Sequence, residues 1–207
     1  MGSKDVAVVA ATSAKTIAAQ INNVSGDTGV SATARTDVKA VFSAAGNYAL
    51  TIKSDNSTAE TVTFSLTAGS GDALSTAITA INDKSAKTGV TATLNADKSG
   101  IILTNATGND ISIADTATAN AGTTILTALA VDGTTALGTA RTLAADTTAD
   151  TSIVVGQISF NSEKTFSVSQ AAAGTNILGA AGLVTTASAL NKVSDIDISS
   201  TTGSNKA

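Results

Sequence analysis

Apolar side chains recur along this chain in two alternating rhythms. Ala14, Ile17, Ala18 and Ile21 stand at i, i+3, i+4 and i+7, and Leu74, Ala77, Ile78 and Ile81 repeat that spacing. Such spacing gathers four apolar groups on one face and predicts two short amphipathic helices. Thr12 and Asp72, just ahead of them, are the expected N-caps. After each helix the period drops to two. Val30, Ala32 and Ala34 alternate with Ser31 and Thr33, as Val90, Ala92 and Leu94 do with Thr91 and Thr93, which predicts strands with one dry and one wet face. Gly29 and Gly89 stand where the chain must turn from helix into strand. Helices this short are marginal alone, so each is expected to rest on a sheet.

These two stretches are copies of one unit. Ile21 maps to Ile81, Asn22 to Asn82, Gly29 to Gly89 and Val30 to Val90, at a constant offset of 60 residues without a gap. Between and after them, residues 48–53 and 61–66 alternate around the polar segment 54–57 and read as a hairpin. Residues 101–104 and 110–113 add two more strands, so a helix is expected to lie across an antiparallel sheet. The stretch 116–150 is rich in Ala, Thr, Gly and Asp and reads as a lobe tip or mobile insertion. Strand patterning returns over 152–160 and 164–168, with Asn161, Ser162 and Glu163 as the turn between.

The fold class expected is α+β: small antiparallel β-sheets, each packed with a short amphipathic helix in repeated strand-helix-strand units, in two lobes. The domain reading is 1–115 for outer lobes holding the repeats (about 14–34 and 74–113), 116–150 for the tip, and 151–192 for a β-rich return.

Composition narrows the chemistry. Hydrophobic residues make up 43% of the 207 positions but aromatics only 2%, so the core must be built from small and β-branched side chains in thin layers. Cysteine and histidine are absent, which removes the thiolate nucleophile, the imidazole base and the commonest zinc ligands. A net charge of −4 with only Arg35 and Arg141 as guanidinium groups argues against nucleic acid. No run approaches the roughly 20 apolar residues of a membrane helix. The opening Met1-Gly2-Ser3-Lys4 has no signal-peptide core, and Met1-Gly2-Ser3 reads as an expression leader.

Sharper chemical readings yield to plainer ones. Gly69-Ser70-Gly71-Asp72 lacks the spacing of a phosphate loop and reads as a turn. Asp97, Asp110 and Asp115 form no calcium-loop pattern. Glu60 and Glu163 are the only glutamates, and nothing in the sequence pairs them for acid–base work. No catalytic, cofactor or metal-binding residue is assigned. The lysines, Lys15, Lys39 and Lys53 among them, read as a solvated face.

Ile-Asn followed by Thr-Gly-Val and an alternating strand, at 14–34 and again at 74–94, resembles the "IN" motif of the variable middle of flagellins, with 100–113 as its continuation. The segment 193–207, from Val193 to Ala207, is similar to the place where flagellins re-enter their C-terminal core helix. The resemblance implies a structural component of the bacterial flagellar filament, an extracellular location on the flagellum, and neighbouring flagellin subunits as partners. It also implies O-linked glycans, no cofactor and no catalytic residues. The terminal helical regions of flagellins have no counterpart in the sequence, so the chain alone is expected to be monomeric. The rival readings are a filament-cap or hook-associated domain and, in another class, a surface adhesin that binds glycan.

Overall fold

The computed structural model describes residues 2–169 and 185–188. Helix α1 (Ala14–Asn23) and the single turn α2 (Ser25–Thr28) lead into the long strand β1 (Ser31–Phe42). The hairpin β2 (Gly46–Lys53) and β3 (Glu60–Leu66) follows. A 3-10 turn (Gly71–Leu74) then runs into α3 (Ser75–Asn82), the single turn α4 (Ser85–Thr88) and strands β4 (Val90–Leu94), β5 (Ile101–Asn105) and β6 (Ile111–Asp115). The remaining strands are β7 (Thr124–Leu129), β8 (Ala136–Leu143), β9 (Thr151–Val154), β10 (Gln157–Asn161), β11 (Ser167–Ser169) and β12 (Thr185–Ala187).

The predicted helix faces turn inward: Ala14, Ile17, Ala18 and Ile21 on α1 and Leu74, Ala77 and Ile81 at α3 are buried, while Ile78, predicted with them, is partly buried against the core. The caps differ from the sequence reading. Ser13, not Thr12, caps α1 by accepting the Thr16 amide at 3.4 Å. Asp72 lies inside the 3-10 turn, and α3 grows directly from that turn without a side-chain cap. Each predicted helix is also followed by a second turn of helix, α2 or α4, which periodicity could not register in four residues.

Two sheets face each other. One runs β4-β5-β1-β7-β8 and the other β3-β2-β6-β9, every pairing antiparallel. Between them lies one large core containing Val38, Ile52, Val62, Ile101, Ile111, Ile113 and Leu126. The rings of Phe42, Tyr48 and Phe64 meet there with centroids 5.0–5.6 Å apart, so three of the five aromatics make a single cluster. Helix α3 does not lie across one sheet. It spans the open side between β3 of one layer and β4 of the other, so the three strands expected after it are divided between layers, β4 and β5 in one and β6 in the other.

A second, smaller core holds Ile17, Ala18, Ile21 and Ala32, against which Val6, Ala34, Ile158 and Phe160 pack. Strand β1 belongs to both cores. Its residues 31–35 pair with β10, while 36–42 pair with β5 on one side and β7 on the other. The stretch 116–150, patternless in sequence, carries β7 and β8, because short Thr-Ile-Leu and Ala-Leu alternations suffice beside a formed strand. Strand β10 pairs with β1, and β11 with β12, so residues 161–163 do not join a β10–β11 hairpin. The segment 193–207 lies outside the described residues.

Candidate functional site: the duplicated helix–strand unit

The motif residues do the same work in both copies. Ile21 and Ile81 point into the smaller and the larger core, 7% and 1% exposed. The next residue reaches sideways to the strand. Asn22 Nδ2 donates to the Ala32 carbonyl at 2.8 Å, and its Oδ1 accepts the Ala32 amide at 2.7 Å. Asn82 holds Ala92 in the same way, at 3.0 and 2.7 Å. A carboxamide matches the donor–acceptor pair of one strand residue, so each Asn stands in for one rung of a neighbouring strand.

The following turn is equally duplicated. Ser25 Oγ donates to the Asn22 carbonyl and Ser85 Oγ to that of Asn82, at 2.7 and 2.6 Å. Thr28 and Thr88 bond back to the carbonyls of Val24 and Lys84 and accept the amides of Val30 and Val90 at 3.3 and 3.2 Å. Gly29 and Gly89 then adopt left-handed conformations, φ 68° and 69°, with their amides closing on the Ser25 and Ser85 carbonyls. Val90 is fully buried, whereas Val30 is half-buried. Asn22, Thr28 and their counterparts were legible as a repeat, but their bonding partners, ten and two residues onward, were not.

The units differ in where their second strand comes from. Leu103 of β5 faces Ala92 of β4, and β5 follows directly by a hairpin. In the first unit Phe160 of β10 faces Ala32 of β1, in the same place and orientation, but β10 arrives only after the whole second unit. The second unit is thus inserted into the first.

The junction between units is polar and closely bonded. Asn109 accepts from Thr36 Oγ1 through its carbonyl at 2.8 Å, donates from Nδ2 to Asp55 at 2.8 Å and meets Ser13 Oγ at 3.2 Å. The Lys15 amide donates to the Gly108 carbonyl at 3.0 Å. Asn105, fully buried, donates to Ser54 and Asp55. Beside it, buried Asp37 accepts from Arg35 at 2.6 Å and from Thr104 at 2.5 Å.

The acidic groups serve turns and junctions. Asp97 accepts from Ser99 and pairs with Lys39, which holds its pKa low. Asp132, at the β7–β8 tip, accepts the Thr135 hydroxyl and the amides of Thr134 and Thr135, which lower its pKa to about 2. Burial raises Asp110 and Asp115, and nearby Asp150 and Asp146 add repulsion at Asp115. Glu60 is lowered by its hydrogen bond from Lys87, with Lys84 also close. Among the described residues no group of three or more Asp or Glu is placed to hold a metal ion. A hollow of about 380 Å³ is lined by Asn47, Tyr48, Thr63, Phe64 and Asn120; Tyr48 and Phe64 are buried, with their rings in the core cluster, and Tyr48 donates its hydroxyl to the Ala44 carbonyl.

A helix, an Asn that imitates a strand rung, a left-handed Gly and a half-buried strand, built twice from one pattern, define a repeated structural module. The family described as the flagellin hook IN motif matches residues 2–46 and 49–107, half of the chain in two consecutive copies, and the chain belongs to that family. It is also 36% identical over 130 residues to the B-type flagellin of Pseudomonas aeruginosa. The matched stretch is 61% of this chain and 25% of that flagellin, so the chain corresponds to about a quarter of the relative's length.

Proposed function

We propose that this chain is part of the solvent-facing, antigenically variable outer region of a flagellin, a structural component of the flagellar filament outside the cell. The observation that carries the reading is the duplicated module: in both copies the motif Asn and Thr spend their hydrogen bonds on holding helix and turn to strand. Outward positions of the β2–β3 hairpin are Thr61, Thr63 and Ser65, a hydroxyl surface suited to water. In this reading the partners are neighbouring flagellin subunits, the isolated chain is a monomer, O-linked glycans sit on exposed Ser and Thr, and neither catalysis nor a cofactor is involved.

Immunogold electron microscopy of the source cells, with antibody raised against this chain, tests the proposal. Gold along the entire filament is expected. Gold confined to the tip or the hook junction would transfer the chain to a cap or hook-associated protein. Gold on the cell body with bare filaments would reinstate the adhesin.

A further inference from the structure

On the outer edge of β4, side chains hold three backbone groups: the amide and carbonyl of Ala92 and the amide of Val90. In an antiparallel strand alternate residues turn their amide and carbonyl to opposite sides. Ala92 gives both groups to Asn82, and Val90 gives its amide to Thr88 Oγ1, so these residues face away from β5. The first unit repeats the arrangement on β1, where Asn22 takes both groups of Ala32 and Thr28 takes the Val30 amide. Farther along that same side, β1 receives β5. A strand side of this kind therefore accepts another strand when no side chain caps it.

We infer that the motif Asn and Thr are edge guards, which keep the open side of β4, and of the first residues of β1, from pairing with a strand of a second copy. An apolar residue could fill the helix–strand contact, but it would leave the Ala92 amide and carbonyl without partners and open as a template for addition. Only a short carboxamide satisfies both groups of one residue and offers nothing outward in return. The carboxamide also ends the ladder, because its remaining amide hydrogen and lone pair do not continue the strand's spacing. The inference concerns the isolated chain and stands whether or not the chain belongs to the outer face of a filament.

The test uses the whole chain and three variants: Asn82→Ala, Thr88→Val and, as a control destabilised without opening the edge, Ile81→Val. NMR amide exchange at residue 92 reports the edge, and sedimentation velocity over a hundredfold concentration range reports association. Asn82→Ala is expected to speed exchange at Ala92 by tenfold or more and to produce concentration-dependent dimers or larger species beyond those of the parent, with Ile81→Val like the parent. If Asn82→Ala fails to fold, Thr88→Val, which removes the acceptor of the Val90 amide, is expected to speed exchange at residue 90 and to add association at lower amplitude. Fast exchange at residue 92 without added association would overturn the inference. So would unchanged exchange, or equal association by Ile81→Val.

Discussion

At the scale of single residues, Ile and Asn of the motif divide the labour between apolar burial and edge bonding. Ile81 is 1% exposed and surrounded by the larger core, so Ile81→Asp would place a charge there without a partner. Such a group costs several kcal/mol, and chemical denaturation should show a loss of about 4 kcal/mol or complete unfolding. A variant as stable as its parent would move Ile81 out of the core. The spacing of apolar residues made this position legible because burial follows a regular period. The role of Asn82 was hidden, since hydrogen bonding to Ala92 depends on how the turn folds back rather than on any period. Ser13 was missed for a similar reason: Thr12 and Ser13 both carry a hydroxyl that can cap, and it is Ser13, with an extended backbone next to the helix, whose side chain accepts the Thr16 amide.

At the scale of elements, local pairings were readable and distant ones were not. The β2–β3 hairpin joins two alternating runs across a short polar turn, and the structure pairs Gly46 with Leu66 through to Ile52 with Glu60. Strand β10 finds its partner more than a hundred residues earlier, a pairing that no local pattern encodes. Its effect is nevertheless specific, because Ile158 and Phe160 cover α1. Phe160→Ala should lower stability by about 2 kcal/mol, below the 3–5 kcal/mol of a fully buried Phe, since Phe160 is only half-buried. Emission from Tyr48, the sole tyrosine, sits in the other core and should report the same fall in melting temperature. A shift seen by probes on α1 but not by Tyr48 would show that the cores part company.

At the scale of the whole molecule, that coupling has one principal source. Residues 31–35 of β1 close the smaller core and residues 36–42 run through the middle of the larger sheet, so neither unit can unfold while the other keeps all its strands. The bonds of Asn109 to Thr36, Asp55 and Ser13 tie the same junction a second time. Calorimetric and van't Hoff enthalpies of the intact chain should therefore agree, as for a single cooperative transition. Two resolved transitions would show that the shared strand transmits too little. The sequence announced two copies and so suggested two separable bodies; that one strand serves both was a matter of length, 12 residues in β1 against five in β4, whose meaning only the pairings reveal.

The insertion of one unit within the other also bears on how such a protein can change over generations. The chain departs along β1 and comes home along β10, side by side. Whatever is spliced between them, its base presents the same pair of neighbouring strands. Lengthening or replacing the far portion is then an edit made at the end of a loop, and the foundation need not be renegotiated each time the exterior is redrawn.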